Sequence, residues 1–151
     1  MRTVVCGIGN KIKGDDGIGP AVIEKLNEEM EEGNIDPEEV MLIDCGTAPE
    51  NFIGKITWFD PDKIVIVDAA DTGTEPGTVS VIDRGRIVGD RISTHKLPLT
   101  MFISYLKDMF RQSLDIKFIG VQPDGTAMGS PMSQSGERAV EEIKKKILSM
   151  F

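Results

Sequence analysis

Two aspartates and a lone histidine are the side chains of this chain best suited to chemistry. Asp16 lies in a loop after the first predicted strand, and Asp68 ends the third predicted strand. His95 is the only histidine among 151 residues and precedes a predicted helix. One imidazole and two carboxylates from separate loops suit zinc, nickel or iron(II), with positions left open for substrate or water. These residue types therefore favour an open divalent-metal site.

Each of these residues also has an ordinary structural explanation. An aspartate at a strand end, such as Asp68 or Asp71, often stabilises a turn. An acidic N-cap of the following helix would account for Asp15 but not for Asp16. A single histidine is more often a surface or hydrogen-bonded residue than a ligand. Only the combination of the three residues points to a metal.

A nucleotide site is a competing interpretation of the first loop. Gly7 and Gly9 follow a predicted strand, as in dinucleotide-binding fingerprints. The third glycine of that fingerprint would be residue 12, which is isoleucine. Asp15 and Asp16 also place negative charge where a phosphate would bind. The spacing and the charge both argue against a nucleotide.

The two cysteines allow one further alternative. Cys45 follows a strand end and could form a nucleophilic pair with His95, although no third group that would orient them is evident. Cys6 lies within the first predicted strand and is expected to face the core. Two cysteines in all provide neither a disulfide framework nor a multi-cysteine zinc site.

Alternating strand and helix patterns position these residues. Strands are predicted at 3–7, 40–44, 63–68, 78–82 and 116–121, and helices at 18–30, 49–58, 99–110 and from about 135 onward. The order βαβαββαβα predicts one α/β domain over residues 1–151, with a mixed or mostly parallel sheet between helices. Ligands of such sheets bind beyond the carboxyl ends of the strands. Asp16 and Asp68 are therefore expected at the same edge.

Composition excludes several classes of protein. The 17 basic and 25 acidic residues give a net charge of −8, whereas a nucleic-acid binder needs a basic face. No apolar run approaches the roughly 20 residues that span a bilayer. The N-terminus lacks the apolar core of a secretory signal. A reducing cytoplasm is the expected compartment.

Several ordered motifs resemble the nickel-iron hydrogenase maturation endopeptidases. They are Gly7-Ile-Gly-Asn10, Gly14-Asp-Asp-Gly-Ile-Gly-Pro20, Asp44-Cys-Gly-Thr-Ala-Pro-Glu-Asn51, Ile66-Val-Asp-Ala-Ala-Asp71 and Ser93-Thr-His95. The stretches Thr94-His-Lys-Leu-Pro-Leu99, Gly120-Val-Gln-Pro-Asp124 and Pro131-Met-Ser-Gln134 resemble the branch that processes the formate-hydrogenlyase type of hydrogenase. The resemblance extends to about residue 140. Cys45 departs from the glycine found in many relatives.

This resemblance implies a twisted five-stranded sheet sandwiched by helices. It also implies removal of a C-terminal extension from the hydrogenase large-subunit precursor after nickel insertion. Asp16, Asp68 and His95 fall on the family's metal-binding and catalytic positions. Nickel would arrive with the substrate, and zinc, cadmium or calcium are alternative occupants in crystals. The protein is expected to be a monomer that meets its substrate one to one.

Two questions stay open at this point. The water could be activated by the metal or by an aspartate acting as general base. The protein could also be a metal-sensing chaperone that docks on the same precursor without cutting it.

Overall fold

The computed structural model of the chain describes residues 1–83, 99–110 and 113–151. These residues form five strands and four α-helices in the predicted alternation. The strands are β1 (Thr3–Ile8), β2 (Val40–Gly46), β3 (Lys63–Ala69), β4 (Val79–Asp83) and β5 (Asp115–Val121), and the helices are α1 (Ile18–Glu31), α2 (Ile53–Phe59), α3 (Leu99–Phe110) and α4 (Gln134–Leu148). Short 3-10 turns at Gly14–Gly17 and Pro49–Phe52 precede α1 and α2.

The sheet is mostly parallel, as predicted. Its strand order is β2-β1-β3-β5-β4, and β1 pairs in parallel with both β2 and β3, as β3 does with β5. β4 runs antiparallel to β5 at one edge of the sheet, where alternating polar and apolar residues suit a strand with one exposed face. β3 lies near the centre and is buried along its whole length. Its unbroken apolar run is what a strand covered on both faces requires.

Two hydrophobic cores cover the two faces of the sheet. Cys6 and Ile66 contribute to the core that α2 and α3 close, through residues such as Ile56 and Phe102. Successive strand residues point to opposite faces, so Val5 and Val67 lie in the other core. That core is completed by the apolar stripes of α1 and α4. The chain is thus a three-layer α/β sandwich.

The ends of the helices follow local sequence signals. The stripe Ile18, Val22 and Leu26 is fully buried. Gly33 follows α1 with a φ of 86°, and its N–H donates to Met30 O at 3.1 Å, so the helix ends at Glu31, one residue beyond its predicted end. Ser133 caps α4, since its hydroxyl accepts from the N–H of Gly136. The described residues contain no helix long and apolar enough to cross a bilayer.

Candidate functional site

The start of α1 packs directly on the carboxyl ends of β1 and β3, because residue 19 is a glycine. A Cβ at Gly19 would collide with Ile8 O and would lie 2.6 Å from Ile8 N and 2.7 Å from Val67 O. The turn Gly14–Gly17 contacts β3 as well. This approach brings the residues just before α1 to the corner where β3 ends.

Asp16 lies at this corner with an oriented carboxylate. Its side chain is 8% exposed, and Oδ2 accepts a hydrogen bond of 2.9 Å from the backbone N–H of Asn10. The Asn10 Oδ1 in turn accepts from the N–H of Ile12 at 3.1 Å. Both bonds fold residues 9–17, the β1–α1 loop, around the Asp16 carboxylate.

Asp68 reaches the same edge from the sheet itself. It is 1% exposed and lies within β3, opposite Gly120 of β5. Asp71 has the turn role expected for such a residue, because its Oδ1 accepts from the N–H of Gly73 at 3.1 Å. The structure therefore brings Asp16 and Asp68 to one edge of the sheet and places Asp71 in the exposed turn that follows.

The third predicted ligand, His95, lies outside the described residues. Within the part of the chain that the structure describes, no three His, Cys, Asp or Glu side chains are grouped closely enough to hold a metal ion. Asp16 and Asp68 supply two carboxylates, which are suitable donors for a divalent cation. The proposed three-residue site therefore stays a prediction.

Asp15 has a role that the sequence did not indicate. It was expected to cap the following helix, but neither Gly14–Gly17 nor α1 has a side-chain cap. The carboxylate is 1% exposed and accepts instead from the N–H of Asp124 at 2.8 Å and from Ser133 through its N–H at 2.8 Å and its hydroxyl at 2.7 Å. Asp15 thus ties the β1–α1 loop to residues 122–133, the β5–α4 loop.

Cys45 is the extra residue of a bulge between β1 and β2. Gly7 pairs with Asp44 and Ile8 with Gly46, so Cys45 has no partner in the β1–β2 register. Its thiol is 3% exposed and lies in the same core as Cys6. A hydrogen bond with Cys45 and burial together raise the pKa of the Cys6 thiol well above its ordinary value. The buried position of Cys45 argues against its use as a nucleophile.

Comparison with known proteins decides the family. A family model described as hydrogenase maturation protease matches residues 20–150. The chain belongs to the hydrogenase maturation protease family. The hydrogenase 3 maturation protease of Escherichia coli K12 is 36% identical over 148 residues, which cover 97% of this chain and 89% of that relative. A putative hydrogenase maturation protease of Methanocaldococcus jannaschii is 34% identical over 94% of this chain and 86% of its own length.

Solved structures agree with this family and with the fold. The crystal structure of a [NiFe] hydrogenase maturation protease from Thermococcus kodakarensis matches with a TM-score of 0.85 and 36% identity, over 98% of this chain and 90% of that one. An E. coli relative that is 34% identical is described as an endopeptidase. As a member of this protease family, the chain is a hydrolase.

The geometry of this maturation protease also weakens the nucleotide interpretation. A phosphate at the β1–α1 loop would need backbone N–H groups that point toward it. The N–H of Asn10 already donates to the Asp16 carboxylate. Asp15 and Asp16 are both buried beside the turn where a pyrophosphate would have to bind. Repulsion between these carboxylates and the phosphate oxygens would oppose binding.

Proposed function

We propose that this hydrogenase maturation protease removes the C-terminal extension of a nickel-loaded [NiFe] hydrogenase large-subunit precursor. The observation that supports the proposal is that Asp16 lies in a turn that contacts β3 while Asp68 lies near the carboxyl end of β3, in a chain that belongs to a protease family. The nickel is part of the substrate and acts as its recognition element. The expected setting is the cytoplasm, with one monomer acting on one precursor.

In this proposal Asp16, Asp68 and His95 engage the nickel that the precursor holds through its own cysteines. A water oxygen attacks the scissile carbonyl carbon, the C–N bond breaks, and the proton released by the water passes to the leaving amine. An aspartate at the site would accept and return that proton, a role typically worth about 10²–10⁴ in rate. The nickel would polarise the scissile carbonyl when it is bound.

Incubation with nickel-loaded precursor tests the proposal. Mass spectrometry should show a shortened large subunit with the wild type and none with Asp16→Asn, Asp68→Asn or His95→Ala. Asp16→Asn is a conservative change, because an amide oxygen can still accept from the N–H of Asn10. Asp36→Asn is the matched control, since the carboxylate of this exposed aspartate accepts a local bond from Glu38 N at 2.9 Å.

Two outcomes would contradict parts of this proposal. Cleavage that survives both Asp16→Asn and His95→Ala would remove these residues from the site. A stable complex whose precursor keeps its full mass would instead indicate a chaperone that docks without cutting.

A further inference from the structure

Two exposed apolar residues lie on the two loops that Asp15 joins. Ile12 is 60% exposed in the β1–α1 loop, and Met128 is 66% exposed in the β5–α4 loop. Single exposed apolar residues are normal. These two occur on loops that are joined beside them, because the N–H of Gly129 donates to Ile12 O at 2.6 Å.

The two loops are held together along most of their length. The N–H of Gly14 donates to Ser130 O at 3.1 Å, and the N–H of Asp15 donates to Gly125 O at 2.9 Å. The buried Asp15 carboxylate adds its bonds to Asp124 and Ser133. These bonds hold the two loops against each other in an arrangement that leaves Ile12 and Met128 exposed.

Hydrogen bonds also connect this pair to the candidate catalytic carboxylate. The N–H of Ile12 donates to Asn10 Oδ1 at 3.1 Å, and the N–H of Asn10 donates to Asp16 Oδ2 at 2.9 Å. Lys11, between these two residues, places its ammonium 3.1 Å from Asp44 Oδ2, near the end of β2. Ile12 is therefore connected to the Asp16 carboxylate through the β1–α1 loop, and Met128 lies on the β5–α4 loop that is bonded to Ile12.

We propose that Ile12 and Met128 form an apolar lip that binds the protein substrate next to the scissile bond. The lip would bind an apolar side chain of the hydrogenase precursor. We favour the precursor over other partners because hydrogen bonds connect Ile12 to Asp16, the proposed catalytic residue. This inference rests on the proposed function, because it takes the precursor as the molecule at the site. A flexible methionine beside a branched isoleucine suits a side chain of variable shape.

Steady-state cleavage of the nickel-loaded precursor by lip variants tests this proposal. Ile12→Ser and Met128→Ser each remove an exposed apolar side chain, and the double variant removes the whole lip. KM should rise roughly tenfold in the double variant, as expected for the loss of one or two buried apolar contacts, with kcat nearly unchanged. Ile12→Leu and Met128→Leu should retain the wild-type KM.

Met109→Ser provides the matched control. Met109 is 44% exposed near the end of α3, at the opposite edge of the sheet, where it accepts a weak bond from the Thr57 hydroxyl at 3.7 Å. The KM of the Met109→Ser variant should equal that of the wild type. An unchanged KM in a folded double variant would overturn the lip. If the double variant does not fold, Met128→Ser alone decides, because it leaves the bond from Gly129 to Ile12 in place.

Direct binding separates this inference from the proposed function. The wild type could bind the precursor without cutting it while the lip variants bind about tenfold more weakly. That result would support the lip and reject the peptidase. Normal cleavage with an unaltered KM in every lip variant would support the peptidase and reject the lip. Self-association of the wild type that the double variant abolishes would assign the lip to a second copy of the chain and overturn the proposal.

Discussion

Replacement of Asp15 by asparagine is expected to destabilise the protein strongly, although the two side chains have nearly the same shape. Asp15 Oδ1 accepts from the N–H of Ser133, and Oδ2 accepts from the N–H of Asp124 and the Ser133 hydroxyl. Backbone N–H groups cannot reverse their direction. An asparagine would therefore place its NH₂ against one of them, whichever way its amide is turned.

The size of this effect follows from the bonds that would be lost. A hydrogen bond to a charged acceptor contributes about 1.5–3 kcal/mol, and a buried donor left without an acceptor costs about 1–3 kcal/mol. Asparagine keeps one neutral acceptor, so we expect a loss of about 3 kcal/mol in the free energy of unfolding. For a chain of this length, that loss lowers Tm by roughly 6–12 °C.

Thermal and urea unfolding of Asp15→Asn, followed by circular dichroism, would measure the loss. Asp36→Asn is the control, because Asp36 is exposed and its carboxylate accepts a local bond from the N–H of Glu38, which an asparagine oxygen can also accept. Its free energy of unfolding should change by less than about 0.5 kcal/mol. If Asp15→Asn and Asp36→Asn have equal midpoints, the Asp15 carboxylate does not hold the two loops together and the reasoning fails.

Two further predictions concern helix packing and pH. Gly19→Ala should destabilise the protein by about 3 kcal/mol and abolish cleavage, because the new Cβ would collide with Ile8 O. Gly54→Ala is the control, since a Cβ at Gly54 meets nothing within 4 Å. In chemical denaturation this variant should be neutral or slightly more stable than the wild type. Hydrogen bonds, the larger from Asn34 and the next from Lys144, lower the pKa of Glu29. These bonds therefore contribute to the stability of the fold above the ordinary pKa of 4.5, and this contribution is lost as the pH falls through the lower pKa of the folded state. Lys144→Met should therefore lower the urea midpoint at neutral pH and have less effect at a pH well below 4.5; an equal effect at both would contradict the pairing.

The fold was predictable because hydrophobic periodicity decides most of it. The strand predicted at 63–68 and the helix predicted at 18–30 are confirmed as β3, with its unbroken apolar run, and α1, with its apolar stripe. β2 continues to Gly46, two residues beyond its predicted end, because the bulge at Cys45 lets the strand resume pairing with β1. A bulge of this kind leaves no periodic signal.

The site was predictable only in part. Topology alone places Asp16 and Asp68 at one edge, since the carboxyl ends of parallel strands meet there. The partners of Asp15 are contributed by residues 109 and 118 positions away, and no local pattern encodes such contacts. In the sequence, Ile12 is informative only because it stands where a dinucleotide fingerprint has its third glycine. The structure shows that Ile12 is exposed beside the β5–α4 loop.

The bonds between Asp15 and Ser133 also bear on the order of events during synthesis. The candidate site begins in the first twenty residues, yet its first loop is fixed by a residue 118 positions later in the chain. Contacts of such separation form late in folding, because a long segment must first be closed. A nascent chain that has not reached residue 133 therefore lacks these bonds, and the β1–α1 loop would be fully anchored only after residues 122–133 have been synthesised.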